Sequence, residues 1–171
     1  MAVYTKYTEE NIKSILSNYS IGSLNSFEGI EEGIENTNYF LLVGKKKYIL
    51  TIYEKRVKED DLPFFSKLML NLNKSGFKCP VPILNINNNP ITEFDNKKLM
   101  IVSFIEGKAK NILSPENCKS VGYEAAKMHE ITKKFKIERK NDLSVVSWRR
   151  LFESVKEKCI KIHKDLPKLI E

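Results

Sequence analysis

The sequence predicts an α+β fold: a five-stranded antiparallel sheet with one packed helix, followed by further helices. Three observations carry this. Two runs rich in aromatic and branched residues, Thr37–Val43 and residues 47–53, flank Gly44-Lys45-Lys46, the pattern of a β-hairpin. The nearly all-apolar run 99–105 reads as a strand covered on both faces. Between them, Leu62, Phe65, Leu68, Met69 and Leu72 recur at helical spacing, and the apolar patterns after residue 114 are helical too.

Taken in order, Thr8 can cap a first helix carrying Ile12, Ile15, Leu16 and Tyr19 on one face. Residues 22–28 form a first strand, and the loop 29–38 leads into the hairpin. Asp60 or Asp61 can cap the next helix, with Pro63 in its first turn and Gly76 just past its end. Pro80 and Pro82 enforce an extended passage. Two more strands follow at 83–86 and 91–94, joined by the turn Asn87-Asn88-Asn89-Pro90, before the apolar strand 99–105. Residues 108–113 look like a linker. Ser114-Pro115 then opens a helix with cap and proline in their favoured places. On that helix Cys118, Val121, Gly122, Ala125, Ala126 and His129 share a face, and His129 reads as a core histidine. A last helix is expected to run an unbroken seam through Trp148, Leu151, Phe152, Val155, Cys159, Ile162 and Leu166, with Trp148 in the core. The organisation expected is an N-lobe over 1–106, then a linker and an incomplete helical lobe over 107–171.

Composition narrows the function classes. The 171 residues have an ordinary apolar content of 42%, so a buried core is within reach. Net charge is +7, but only Arg56, Arg139, Arg149 and Arg150 are arginine, the remaining basic residues being lysine. Two-pronged phosphate recognition favours arginine, and these lysines are scattered among glutamates, so no nucleic-acid partner is expected. Cys79, Cys118 and Cys159 are odd in number and far apart, which reads as reduced thiols. No apolar run reaches the length of a membrane span, and the first residues lack a signal-peptide core. A cytoplasmic protein with no membrane partner is expected.

Chemistry concentrates in G-I-E-E-G-I-E-N-T-N, residues 29–38. A glycine loop feeding a hairpin is how protein-kinase-like folds cover the phosphates of ATP. Backbone N–H groups face the anion, and glycine lets the chain come close. Gly29, Gly33, Asn36, Thr37 and Asn38 are the candidates, the two amides serving either as donors or as turn residues. Glu31, Glu32 and Glu35 must point away from the phosphates or share a metal ion, since a carboxylate ~4 Å from a phosphate is repelled by ~1 kcal/mol even in bulk water.

The stretches I-L-T-I-Y-E-K-R-V, D-L-P-F-F, G-F-K-C-P-V-P, F-I-E-G, V-G-Y-E-A-A-K-M-H and L-S-V-V-S-W-R-R-L-F, with the loop itself and M-A-V-Y-T at the start, run end to end through the chain. On these residues the chain resembles bacterial homoserine kinases of the aminoglycoside-phosphotransferase and choline-kinase fold, a protein-kinase-like fold. The resemblance implies transfer of the ATP γ-phosphate to the hydroxyl of L-homoserine, a step toward threonine. It implies that the loop from Gly29 to Asn38 covers the phosphates and that the backbone of Ser103, Phe104, Ile105 and Glu106 reads the adenine edge. Where many kinases keep a phosphate-pairing lysine stands Thr51, with Lys55 or Arg56 as substitutes, and where its carboxylate partner belongs stands Phe65. The catalytic aspartate and the Mg2+ ligands come later in the family, from an H-G-D-L-x-x-x-N-like loop, so the chain is expected to be an N-terminal portion without catalytic or metal residues of its own.

His163-Lys164-Asp165-Leu166 mimics that loop but is read as a decoy, because Ile170 stands where the metal-binding asparagine belongs and the helical seam runs through it. Arg149 and Arg150 are candidates for the homoserine carboxylate, and the last helix for self-association. Two rival readings stay open: a non-catalytic nucleotide- or partner-binding module, and a kinase for another small alcohol or amino-alcohol.

Overall fold

The computed structural model describes residues 3–54 and 57–170. Two compact units emerge, Met1–Ile137 and Glu138–Glu171.

The first unit begins with α1 (Glu9–Leu16), where the Thr8 and Asn11 side chains exchange hydrogen bonds with each other's backbone N–H in a capping box. Its Ile12, Ile15 and Leu16 are buried, as the periodicity predicts. Five antiparallel strands follow: β1 (Leu24–Ile30), β2 (Thr37–Val43), β3 (Lys46–Ile52), β4 (Thr92–Phe94) and β5 (Lys97–Ser103), in the order β1-β2-β3-β5-β4. The β2–β3 hairpin closes on Gly44-Lys45, with Gly44 at φ +59 in the position where a two-residue loop favours glycine. At Asp95-Asn96 both residues take positive φ, +53 and +55, the turn that brings β4 straight back as β5.

Alternation along the strands makes two different faces. Tyr39, Leu41 and Val43 of β2, Tyr48, Leu50 and Ile52 of β3, and Leu99 and Ile101 of β5 are buried with α1 in one apolar core. The opposite face carries Asn38, Phe40 and Leu42 of β2, then Ile49 and Thr51 of β3, all half-buried.

Residues 83–86 are not a strand. Proline at 80 and 82 removes two donors, leaving one bridge, Pro82 to Val102, and single bonds such as Ile83 N–H to Ile101 O at 2.8 Å. Asn85 then takes the backbone away into a turn, accepting from the N–H groups of Asn87 and Asn89. The sheet has the five strands expected, and residues 83–86 are not one of them.

A 3-10 turn, Glu59–Asp61, leads into α2 (Leu62–Lys74), so Asp61 enters in helical geometry and its side chain makes no capping bond. Leu62 and Leu72 are buried together with Ser66, whereas Phe65, Leu68 and Met69 are only half-covered. In α3 (Pro115–Thr132) Ser114 and Asn117 form a second capping box. His129 on that helix is exposed, not a core histidine.

The second unit holds α4 (Val145–Cys159) and α5 (Leu166–Ile170). Here the seam breaks: α4 stops at Cys159, and residues 160–165 form turns. Of the expected seam Cys159 is buried, while Trp148 is 60% exposed and its indole N–H donates to Leu143 O at 2.8 Å. All three cysteines are free.

Candidate functional site

The loop between β1 and β2 covers residues 31–36, all but Asn36 exposed. Gly33 sits there at φ +114, a conformation that side chains rarely adopt. Glu31, Glu32 and Glu35 are all exposed, so their charges stay in solvent. Gly29 lies outside the loop, within β1 and paired with Tyr39. A Cβ built there would stand 3.0 Å from Val3 Cγ2, so its glycine admits the N-terminal segment.

The polar residues that follow have defined partners. Asn36 Oδ1 accepts from Glu54 N–H at 3.3 Å. Thr37, fully buried, accepts at Oγ1 from Tyr4 N–H and Thr5 N–H at 3.0 and 3.1 Å and donates to Glu54 Oε1 at 2.8 Å. Asn38 lies opposite Thr51, whose hydroxyl donates to Asn38 Oδ1 at 2.8 Å. At the exit of β3, Glu54 also accepts from Thr5 Oγ1 at 2.6 Å and pairs with Lys97 Nζ at 2.5 Å. Burial alone would raise the Glu54 carboxyl. The Lys97 ammonium and the two threonine hydroxyls outweigh it and hold the group below its ordinary value. Lys55, the candidate phosphate partner, and Arg56 lie outside the described residues.

At the other end of the same face is the segment leaving β5. Ser103 N–H donates to Val81 O and Ser103 Oγ accepts from Val81 N–H, both at 2.9 Å, and Phe104 N–H donates to Lys47 O at 3.2 Å. Among the described residues, the main-chain groups of Ile105 and Glu106 make no hydrogen bond within the protein. The Phe104 ring meets Phe40 edge-on at 5.5 Å, and the Lys47 ammonium stands 5.7 Å over it while pairing with Glu106 at 2.5 Å. A shallow groove of ≈ 630 Å³ runs beside them, lined among others by Lys47, Ser103, Phe104 and Glu106.

Register ties the two ends together. Phe40 faces Ile49, which faces Val102, giving an apolar row across β2, β3 and β5; the Asn38–Thr51 pair is the next row toward the loop. The result is a half-exposed apolar platform with a polar edge at the glycine-loop end and an open backbone segment at its far side. Such a surface suits a flat heterocycle carrying an anionic tail. Phe40, Ile49, Val102 and Thr5 escaped the sequence reading; the signal available was T-N-Y-F-L-L-V, apolar on both faces of one strand. No group of three or more His, Cys, Asp or Glu side chains able to hold a metal ion occurs among the described residues.

The sheet, its loop and the helices are those of a protein-kinase-like fold. Residues 26–166 match the model of the APH phosphotransferase enzyme family, and the chain belongs to that family. It is 39% identical over 166 residues to a homoserine kinase of Agrobacterium fabrum, covering 97% of this chain and 52% of the relative. To a homoserine kinase of Methylobacterium radiotolerans it is 43% identical over 152 residues, 89% of this chain and 47% of the relative. The chain thus spans about half the length of the curated relatives it matches. Among solved structures, spectinomycin phosphotransferase in complex with ADP and spectinomycin superposes with a TM-score of 0.63 at 16% identity, over 90% of this chain and 48% of that one. A microcompartment-associated aminopropanol kinase gives 0.64 at 13% identity, over 81% and 47%. These last likenesses bear out the expected fold, and the family match and the homoserine-kinase relatives bear out the resemblance.

Proposed function

We propose that this chain is the nucleotide-covering part of an ATP-dependent kinase for the hydroxyl of L-homoserine, on the path to threonine. The observation that carries the reading is 39–43% identity to homoserine kinases over 89–97% of the chain. The local geometry supports it. N–H groups of 31–36 would face the phosphates around Gly33, with Asn38 at the edge of the platform, and the row Phe40–Ile49–Val102 would lie against the adenine. Because the N–H groups of Ser103 and Phe104 are already engaged by the fold, Ile105 and Glu106 are the backbone groups of this segment that would read the base edge. Lys55 is proposed as the phosphate partner in place of a third-strand lysine. In this reading the N-lobe ends at Glu106, and residues 107–171 form the linker and the first helices of the second lobe.

Transfer of a phosphoryl group is mostly positioning and charge neutralisation, and bound Mg2+ would supply part of the latter. The described residues hold no group of three or more His, Cys, Asp or Glu side chains able to hold a metal ion. In this reading the Mg2+ ligands come from the portion of the relatives' length that this chain does not span. What this chain would contribute is a cover that excludes water and holds the phosphates by backbone dipoles.

The test is calorimetric titration of the chain with a non-hydrolysable ATP analogue, alongside homoserine-dependent ADP release by a protein spanning the relatives' full length. Binding of the analogue with turnover of homoserine supports the reading. Absence of nucleotide binding removes the cover, and turnover of other small alcohols in preference to homoserine removes the substrate.

A further inference from the structure

The segment 3–7 crosses the base of the glycine loop and is fastened on both sides. Val3 lies against Gly29; the N–H groups of Tyr4 and Thr5 donate to Thr37; Tyr4 Oη donates to Ile34 O, inside the loop, at 3.0 Å. On the core side Tyr39 Oη donates to Thr5 O at 2.8 Å and accepts from Tyr7 N–H at 2.9 Å.

Two of these residues, Thr5 and Thr37, also meet at one ion pair. Glu54 takes Thr5 and Thr37 on Oε1 and Lys97 on Oε2, while Lys97 Nζ also donates to Thr5 Oγ1 at 2.7 Å. The Glu54 side chain is only 12% exposed. Backbone bonding adds a further tie, from Glu54 N–H to Asn36 at the loop's end. Lys97 is the first residue after the tight Asp95-Asn96 turn, so its backbone position is fixed by the β4–β5 hairpin. Four separate parts of the chain thus meet at a carboxylate one residue before Lys55.

We propose that Glu54 and Lys97, acting through Thr5 and Thr37, are positioning residues that hold the glycine loop 31–36 in its nucleotide-covering form by clamping the N-terminal segment across its base. The proposal rests on the loop's assignment to nucleotide phosphates and goes beyond it by naming what sets the loop. Both side chains spend their bonds on the protein itself: Glu54 on Thr5, Thr37 and Lys97, and Lys97 on Thr5 and Glu54. Charge-assisted hydrogen bonds in a covered site are strong, and removing one partner leaves the other charge without its match. Loss of the ammonium is therefore expected to release the loop before the sheet, which a larger set of buried apolar side chains around α1 holds together.

The loop carries its own reporter, since a glutamate-specific protease can cut after Glu31, Glu32 and Glu35, and exposed Glu124 and Glu130 on α3 serve as reference sites. Lys97→Met is expected to speed cleavage in the loop about tenfold, with the reference sites unchanged, because a bond to a charged group is lost locally. Lys97→Arg keeps the charge and should stay near the parent rate. Equal acceleration at loop and reference sites, or none at either, overturns the proposal. If Lys97→Met does not fold, the neutral pair Glu54→Gln/Lys97→Gln is read by the same two outcomes. Affinity for the ATP analogue, measured on the same variants, should fall in step with loop release. Loop release with unchanged affinity overturns the positioning role. A parent chain that binds no analogue fails the nucleotide reading alone, and the cleavage ratio still decides the clamp.

Discussion

Thr37 presents one hydroxyl to three partners, accepting from Tyr4 and Thr5 and donating to Glu54. A hydroxyl has one hydrogen and two lone pairs, so its capacity is filled. Glu54 in turn has its folded-state titration lowered below 4.5, burial opposing and Lys97 prevailing. A carboxyl depressed in the folded state adds stability above its unfolded value and loses it as pH falls through the folded one. The difference in unfolding midpoint between the parent chain and Glu54→Gln should therefore be full at neutral pH and shrink below about pH 4.5. A pH-independent difference would mean that the carboxylate charge is not what the site uses. Gly33 yields a second expectation. At φ +114 any side chain is strained, and it would also crowd an approaching phosphate. In an active protein containing this chain, Gly33→Val should raise KM for ATP about tenfold or more while leaving KM for homoserine nearly unchanged, the strain itself costing ~1–2 kcal/mol.

Elements whose signals are local were legible from sequence alone. The β2–β3 hairpin, with its turn at Gly44, and the helix starts at Thr8 and Ser114 depend on neighbours within a few positions, and they appear where the residues put them. For the Ser114 cap this has a measurable consequence. Ser114→Ala should cost about 1 kcal/mol, read as faster amide exchange in the first turn of α3 with the sheet unaffected. Signals that depend on distant partners were not legible. Residues 83–86 have strand-like composition, but their neighbouring prolines and Asn85 divert the backbone. The apolar spacing from Trp148 to Leu166 is helical in period, yet the chain turns after Cys159. In the candidate site, the glycines and amides could be found by type, whereas Phe40, Thr5 and Lys97 enter only through cross-strand register and contacts 32 to 92 positions away.

At the scale of the whole molecule, the first expectation comes from apolar exposure. In the second unit Val145, Val146, Trp148 and Ile162 are all more than half exposed, a surface that water covers poorly. The 171-residue chain by itself should bind a hydrophobic dye or self-associate, and sedimentation as a clean monomer without dye binding would refute this. Its chemistry should be incomplete as well. His163-Lys164-Asp165-Leu166 has the lettering of a catalytic loop, and it lies in a turn, with Asp165 N–H donating to His163 Nδ1 at 3.2 Å and α5 starting at Leu166. An extended turn can present a base, so the helical seam no longer counts against it. What counts is the company: five residues beyond Asp165 stands Ile170, which cannot hold a metal, and no metal-binding group of acids, histidines or cysteines occurs among the described residues. With ATP and homoserine supplied, the chain alone should release no ADP above background. In a protein spanning the relatives' full length, Asp165→Asn should leave kcat within a few-fold, whereas loss of a general base typically costs ~100-fold or more. A collapse of that size would move the active site into this chain and overturn its reading as a nucleotide cover.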